Sequence, residues 1–460
     1  MQSPLIAWYR RNRERSRVLF DLLAGDEVFY RRPIPLRHPF IFYEGHVPAF
    51  SFTTLVRSAL GGSGIDDRLE TLFARGIDPP TDPSPDSPPD GTPDRESWPD
   101  RPVVRAFADE ADARVLGALE EAELDRPGHP FLDRAEAAFV ILEHEAMHQE
   151  TLLYMLHRLE FPLKRRPGRA LPAADASAPS STRDGAMRPG SAGRAPRQEW
   201  IEIPAGRATL GVDRDAARFA WDNECPSHGV RVPAFAIERH DVTNAAFMEF
   251  VEAGGYEQRR LWGDHDWDWL RRERIRHPLF WEVEDGSWLW RGMFERLPLP
   301  PACPVFVTHA EASAYARWRG ARLPTEGEFH RAAYGAPDGS ERPFPWGEAS
   351  PDASRGVFDF AAWDPAPAGG HPAGRSAWGV DDLVGNGWEW TSTPFAPFPG
   401  FAARASYPQY STDFFDGAHY VMKGASPATA RELLRPTFRN WFRPRYPYVY
   451  ATFRCARGRA

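Results

Sequence analysis

Two histidines four residues apart form the strongest chemical pattern in this sequence. His144 and His148 lie in the run ILEHEAMHQETLLYM. On an α-helix, residues i and i+4 sit one above the other, so both imidazoles can face one metal ion. Glu150 lies two residues further on, about 200° around the helix, and should point away from that ion. We therefore predict a structural or supporting role for Glu150 and a third ligand from another segment.

His46 is the best candidate for that third ligand. It lies in RHPFIFYEGHVPAF, an apolar and aromatic stretch that predicts another helix of the same bundle. Together the three histidines predict a metal site of neutral nitrogens, with open positions for substrate and oxygen. The alternative is a capped or solvated histidine pair. The apolar residues on both sides of His144 and His148 favour the metal, because unpaired buried imidazoles are costly.

The elements that must position these histidines are helices. Apolar residues recur at three-to-four spacing over 12–24, 46–60, 103–123 and 131–159, which predicts an antiparallel four-helix bundle. A Pro/Asp-rich stretch at 78–100 predicts an exposed loop, and a low-complexity stretch at 166–198 predicts an interdomain linker. The boundaries are then a helical first domain at 1–165 and a second domain of short strands and turns at 199–460.

Composition favours a well-packed protein of the cytoplasm. A chain of 460 residues exceeds what one core usually organises, and its net charge of −8 offers no basic field for nucleic acid. No stretch approaches the roughly 20 apolar residues of a membrane span. Cys225, Cys303 and Cys455 are odd in number and far apart, which argues against a disulfide framework and suits a reducing compartment.

Ordered motifs in the second domain carry a family resemblance. They are WIEIPAGRATLG, RFAWDNECPSHGVRVPAFAIERHDVTNAAFMEFVEAGGY, ARLPTEGEFHRAA, FPWG, VGNGWEWTSTPF and YATFRCAR. This series resembles the formylglycine-generating-enzyme (sulfatase-modifying factor) fold, an irregular α+β domain similar to C-type lectins. The first domain resembles the DinB-like all-α bundle that precedes this fold in the iron(II)-dependent sulfoxide synthases of ergothioneine and ovothiol biosynthesis and in the related selenoneine synthases.

The resemblance implies a mechanism and a cofactor. In that group three histidines hold Fe(II), the imidazole of the betaine hercynine binds the iron, and O2 drives bond formation between imidazole C2 and sulfur or selenium. The corresponding histidines here are His46, His144 and His148, and the second domain is expected to contribute the substrate pocket. The small-molecule partners are then hercynine, a selenosugar or thiol donor, and O2. The cysteine pair of the formylglycine-generating enzymes has no counterpart, since Cys455 in FRCAR predicts a buried core residue.

The sulfur or selenium donor is predicted from the positions at which the run RNWFRPRYPY differs from ergothioneine-type enzymes. Phe442 and Tyr446 stand where ergothioneine-type enzymes resembling RNWDYPxRR carry an Asp and an Arg that help hold an amino-acid donor. Their loss favours a neutral selenosugar, and hence a selenoneine synthase, over γ-glutamylcysteine or cysteine. Arg443 and Arg445 could restore a clamp from nearby positions, which leaves the sulfur reaction as the alternative.

Proton donation and betaine binding follow from the same motifs. Phe395 and Phe398 occupy positions where ergothioneine-type enzymes often have Tyr, and phenylalanine cannot donate a proton. Tyr43, Tyr446 or water would then supply it. Asn440 and Trp441 match the family's motif at the substrate pocket, and the resemblance implies that they contact the substrate. Aromatic faces suit a trimethylammonium group, so we add Phe415 to the predicted contacts.

Two other classes of protein fit the same residues. Three histidines also suit Zn(II), so the bundle could serve a zinc-dependent thiol transferase or hydrolase. A non-catalytic lectin-like binding protein with a metal-stapled bundle is the second. The identity of the bound metal distinguishes the zinc enzyme from an iron enzyme. Oxygen uptake on addition of hercynine distinguishes an oxygen-using enzyme from the binding protein.

Overall fold

The chain separates into two compact units, Met1–Ala176 and Ser177–Ala460. The computed structural model describes residues 2–74, 98–168, 171–172 and 195–458, so most of the predicted loop at 78–100 and most of the predicted linker at 166–198 lie outside the described residues. Trp98 departs from the exposure predicted for that loop: it is 8% exposed and packs edge-on against His38 and Phe42. A large aromatic side chain gains more from burial than the polar residues before it.

Helices form the first unit, as predicted. They are α1 Gln2–Asp21, α2 Phe40–Ser51, α3 Asp67–Phe73, α4 Arg101–Glu121 and α5 Glu136–Arg158. The four predicted helices correspond to α1, α2, α4 and α5, and the short α3 was not predicted. Seven residues give too few repeats for a periodic signal to be recognised.

Two predicted helix starts were wrong by six residues or more, and α5 also begins later than predicted, at Glu136 rather than at residue 131. The first helix begins at Gln2 rather than at residue 12, because Leu5 and Tyr9 continue its buried face toward the N-terminus. The second begins at Phe40 rather than at residue 46, directly after Pro39. It continues beyond Ser51 as a π-helix, Phe52–Ala59, and π-helical turns are often found at functional sites.

The second unit is an irregular α+β domain. Its strands are β1 Trp200–Ile203, β2 Gly206–Leu210, β3 His228–Val232, β4 Phe235–Glu238, β5 Trp281–Glu284, β6 Ser287–Arg291, β7 Arg296–Pro298, β8 Gly387–Pro394, β9 Tyr420–Ala425, β10 Asn440–Phe442, β11 Ala451–Thr452 and β12 Ala456–Gly458. Its helices are α6 Asn244–Glu252, α7 Asp264–Arg272, α8 His309–Trp318, α9 Glu326–Tyr334 and the single turn α10 Gln409–Thr412.

The strands form small sheets with mainly antiparallel pairing. Their orders are β1-β4-β12, β10-β9-β8-β11, β2-β3 and β5-β6-β7, and the pair β8/β11 is parallel. Trp388 and Trp390 on β8 are buried, and the Trp390 indole donates a hydrogen bond to the carbonyl of Val307 at 2.9 Å. The predicted fold class, an all-α bundle followed by an α+β domain, is confirmed.

Two further predictions concern cysteines and membranes. Cys225, Cys303 and Cys455 are free thiols, and Cys455 is fully buried as expected. Within the described ranges no helix has both the length and the apolar character of a membrane span.

Candidate functional site

His46, His144 and His148 meet in the interior of the first unit. α2 supplies His46, and α5 supplies the other two from successive turns. The Nε2 atom of His148 lies 3.2 Å from that of His46 and 3.1 Å from that of His144. In the part of the chain that the structure describes, this is the one group of at least three His, Cys, Asp or Glu side chains whose ligand atoms converge within 4.8 Å.

The spacing of these nitrogens fits a single metal ion. With metal–nitrogen bonds of about 2.0–2.1 Å, two donors lie about 3.0 Å apart at a right angle and about 3.4 Å apart at a tetrahedral angle. The observed 3.1 and 3.2 Å fall between these values. Three nitrogens on one side of an ion leave coordination positions open, which suits an exchangeable ligand better than a closed structural site.

The ring of His46 is oriented by a backbone group. Its Nδ1 lies 2.6 Å from the carbonyl oxygen of Phe73, at the end of α3. Because a carbonyl only accepts, Nδ1 carries the proton, and the lone pair of Nε2 faces the other two histidines. The Phe42 ring stacks on the His46 ring at 4.8 Å between centroids.

Gly45 makes that orientation possible. A Cβ at this position would lie within 3.0 Å of three ring carbons of Phe73, so only glycine lets α3 approach α2 this closely. Phe50, also on α2, stacks on His144 of α5 with ring centroids 3.5 Å apart and planes 13° apart. α2 thus places one aromatic ring against its own histidine and another against a histidine of α5.

Burial keeps the three imidazoles neutral. It lowers the pKa of His46 to about 4, only partly opposed by the hydrogen bond to Phe73. Burial also lowers the pKa of His144 and of His148 well below the ordinary range, with neighbouring histidines adding to the effect. Neutral nitrogens are the form that binds a metal.

Glu150 is buried and lies outside the converging group, as the helical geometry predicts. Tyr43 lies three residues before His46 on α2, with its ring centroid 5.7 Å from that of His148. Its hydroxyl is buried and has no hydrogen-bond partner among the described residues. Burial raises the pKa of Tyr43 above its ordinary value, an effect that Arg37 opposes, so the hydroxyl keeps its proton at neutral pH.

Sequence reasoning missed several residues around the histidines. Arg37 is buried, and its Nε donates to the Tyr154 hydroxyl at 3.2 Å, which in turn donates to Thr151 at 3.3 Å. Tyr154 and Thr151 could have been considered from the sequence, because they closely follow His144 and His148 on the same helix. Phe50 and the Phe73 carbonyl carried no comparable signal.

In the second unit, part of the predicted substrate set forms one aromatic cluster. Phe395 stacks on Trp441 at 4.2 Å, nearly parallel at 7°, and Phe415 lies 4.9 Å from Phe395. Tyr410 and Phe414, which were not predicted, pack against Trp441 at 5.4 and 5.5 Å. Asn440 precedes Trp441 on β10 and is half-buried.

The other predicted residues make different contacts. Phe442 and Tyr446 stack on each other at 5.0 Å. Arg445 pairs with Asp266 at 3.0 Å, and Arg443 is exposed.

Phe398 instead contacts a buried ion pair that the sequence did not reveal. The guanidinium of Arg439 lies 4.1 Å from the centroid of the Phe398 ring and is bonded to Glu326 at 2.9 Å. Both charges are nearly inaccessible to solvent, with side chains 2% and 3% exposed. The pair lines a cavity of about 520 Å³. His228, Pro233, Pro394, Pro397 and Pro399 also line this cavity.

Comparison with known proteins adds family membership to this geometry. Residues 186–459 match the sulfatase-modifying factor enzyme 1-like domain, and residues 9–152 match the DinB superfamily. A protein of Mycolicibacterium smegmatis named hercynine oxygenase is 38% identical over 358 residues, which cover 76% of this chain and 77% of that protein. The hercynine oxygenase of Mycobacterium tuberculosis is 37% identical over 69% of this chain and 70% of its own length.

A fungal protein shares both parts of the chain at lower identity. Ergothioneine biosynthesis protein 1 of Neurospora crassa is 27% identical over 95% of this chain. The match spans 55% of the fungal protein.

Proposed function

Because this chain belongs to the hercynine oxygenase family, we propose that it is a mononuclear non-haem iron(II) enzyme that uses O2 to join C2 of the hercynine imidazole to a chalcogen donor. The observation that carries the proposal is the buried cluster of three neutral nitrogens from His46, His144 and His148. A purely structural histidine cluster would more often have its nitrogens satisfied by hydrogen bonds than directed at one another.

The three histidines would hold the ion. Iron(II) bound there would supply the chemistry of oxygen activation, through positions that the protein leaves open. The Phe73 carbonyl keeps the His46 lone pair directed inward. The same nitrogens suit Zn(II), so reconstitution with each metal separates an iron enzyme from a zinc enzyme.

Tyr43 is the proposed proton donor in the first unit. Its hydroxyl is buried, keeps its proton and has no partner among the described residues, so it is available to a bound molecule. An unpaired buried hydroxyl costs free energy, which is consistent with a partner that arrives with the substrate. Tyr446 stays a second predicted donor, and its ring is stacked on Phe442.

Trp441 and Asn440 stay the predicted contacts of the betaine. Trp441 belongs to an aromatic cluster with Phe395 and Phe415, and aromatic faces attract a trimethylammonium group. Phe395 is 1% exposed, whereas Trp441 and Phe415 are half-buried, so a ligand could reach Trp441 and Phe415.

We propose a selenosugar as the donor. Phe442 and Tyr446 offer no charged groups to an α-amino acid, and they stack on each other. Arg445 is engaged by Asp266, which reduces its value as a replacement clamp. The named relatives favour the sulfur alternative, a bond from hercynine to γ-glutamylcysteine or cysteine, because their names refer to hercynine and ergothioneine.

The deciding experiment is anaerobic reconstitution of the full chain with Fe(II), followed by hercynine, air and either a selenosugar or γ-glutamylcysteine. Products are read by mass spectrometry and O2 uptake by an electrode. We expect a selenium adduct of hercynine with the selenosugar and none with His144→Ala. Reconstitution with Zn(II) is the matched control and should give neither product nor O2 uptake.

Each other result selects an alternative. A sulfur adduct formed only with γ-glutamylcysteine would replace the selenium donor and keep the iron site. Thiol transfer supported by Zn(II) would replace the oxidative assignment by a zinc enzyme. Hercynine binding without O2 uptake under all conditions would leave a binding protein.

A further inference from the structure

Each metal-directed histidine of α5 is followed by a buried polar residue. Glu145 follows His144, and Gln149 follows His148. Successive residues of a helix lie about 100° apart, so these two form a second face beside the histidine face, also with i, i+4 spacing. Both side chains are completely buried.

Glu145 is held by α1 and, through α1, linked to α4. Arg13 donates from Nη1 to Glu145 at 2.7 Å, and the Ser16 hydroxyl donates to the same carboxylate oxygen at 2.7 Å. The Nε of Arg13 also binds Asp112 on α4 at 2.9 Å. All of these side chains are at least nine-tenths buried.

Gln149 makes a parallel set of contacts one turn further along. Its Nε2 donates to the backbone carbonyl of Asn12 at 2.8 Å and to the Ser16 hydroxyl at 3.0 Å. Its Oε1 accepts from Nη1 of Arg15 at 3.0 Å. The Asn12 side chain returns a bond to the carbonyl of Leu142 at 2.9 Å.

Apolar packing alone would fix the rotation of α5 poorly. Nearly every residue of Glu136–Arg158 is buried, so the helix has no polar face that must turn toward water. Burial of apolar surface has no direction, whereas a hydrogen bond weakens steeply when its angle or length changes. A small rotation or slide of α5 would break the bonds to α1 and would also move the two histidines away from His46.

We infer that Glu145 and Gln149 are positioning residues, whose buried hydrogen bonds to α1 set the rotation and register of α5 and thereby aim the Nε2 atoms of His144 and His148. This inference rests on the metal centre of the proposed function and adds to it a group of residues that do not touch the ion. A metal site needs its donors held within about 0.5 Å of their bound geometry.

The test uses Co(II) as the probe, because its visible absorption reports ligand number and geometry. Gln149→Met keeps the length and unbranched shape of the side chain while removing every bond to Asn12, Ser16 and Arg15. We expect the Kd of the full apoprotein for Co(II) to rise at least tenfold, with a changed absorption spectrum. Ser16→Ala, a smaller change, should shift both measurements in the same direction.

Tyr9→Phe is the matched control for a general loss of stability. It removes a buried hydrogen bond of 2.8 Å from the same helix, but to Asp112 on α4 rather than to α5. Tyr9→Phe should lower the urea midpoint about as much as Gln149→Met or Ser16→Ala does, yet its Co(II) affinity should stay within twofold of that of the wild type. The inference is overturned if Gln149→Met and Ser16→Ala bind Co(II) as wild type does, or if Tyr9→Phe weakens binding equally.

The failure of the metal centre itself would look different. Wild-type protein that does not bind Co(II), or His144→Ala that binds it unchanged, would refute the site and the positioning role with it. Normal wild-type binding that is lost in His144→Ala but kept in Gln149→Met would refute only the positioning role.

Discussion

Gly45→Ala tests whether the close approach of α3 to α2 builds the histidine cluster. The new methyl carbon would lie within 3.0 Å of the Phe73 ring, which is fully buried and packed against Phe107 at 5.8 Å between centroids. A Cβ there would lie closer to three ring carbons than any packed contact allows, so Phe73 must move. Its carbonyl, 2.6 Å from Nδ1 of His46, must then move as well.

The expected magnitude combines three effects. Alanine in place of glycine in a helix is favourable by about 1 kcal/mol. Overpacking costs about 1–3 kcal/mol, and loss of the hydrogen bond from His46 to the Phe73 carbonyl costs about 1 kcal/mol. We therefore expect a net loss of about 1–3 kcal/mol in the free energy of unfolding of the apoprotein. Loss of the oriented His46 ring should also weaken Co(II) binding by about 10–100-fold.

The assay is urea unfolding of the full chain followed by far-ultraviolet circular dichroism, paired with Co(II) titration. Gly117→Ala is the matched control, because this glycine also lies inside a helix, α4, but a Cβ there would have nothing within 4 Å. The control should gain about 1 kcal/mol, as helix propensity predicts. Adding Phe73→Leu to Gly45→Ala should recover part of the lost stability. If Gly45→Ala is stabilised like the control, the reasoning about close approach is wrong.

Four other outcomes follow from the structure. Tyr43→Phe should leave the free energy of unfolding unchanged or raise it by about 1 kcal/mol, because it removes a buried hydroxyl that has no partner among the described residues, while product formation under the reconstitution assay falls; a stability loss of about 1 kcal/mol or more would mean the hydroxyl is structural. Co(II) at a hundredfold its Kd should stabilise the wild-type protein by about 2.7 kcal/mol and leave His148→Ala unchanged in calorimetry, and equal stabilisation of both would place the ion elsewhere. Burial lowers the pKa of His309 to about 3, so the unfolded state takes up a proton that the folded state does not as the pH falls below about 6.5; His309 alone should remove about 2 kcal/mol of stability between pH 7.5 and pH 5, in addition to the losses from other buried histidines, and His309→Phe should lack that contribution when urea midpoints are compared at the two pH values. Arg439→Met leaves the Glu326 charge buried and unpaired and should cost about 3–5 kcal/mol in urea unfolding, much of which Glu326→Gln should restore in the double variant; additive losses would contradict the pairing.

The parts of the site that the sequence predicted are those with a local signal. The spacing of His144 and His148 is visible within one helical turn. His46 was recognisable from its apolar surroundings, even though its helix begins six residues earlier than predicted. In the second unit, the ordered motifs predicted the fold class and the stacking partners Phe395 and Trp441 as members of one substrate set.

The parts that were missed depend on contacts between distant segments. The Phe73 carbonyl is a backbone group, so no residue type announces it. The bonds of Glu145 and Gln149 join positions about 130 residues apart, and the Arg439–Glu326 pair joins positions 113 apart. A charged residue in a sequence looks the same whether it is solvated or paired in a core. Such contacts follow only from the packing of whole elements.

The division of the ligands between two helices has a consequence for the length of the chain between them. His46 and His148 are 102 positions apart, so a bound ion closes a long loop that includes the Pro/Asp-rich stretch at 78–100. The entropy of closing a flexible loop grows only with the logarithm of its length, and doubling it costs about 0.6 kcal/mol. The site therefore places a strict demand on how α2 docks against α5 and almost none on the number of residues that connect them. Insertions or deletions within 78–97 should be tolerated with the metal affinity nearly intact.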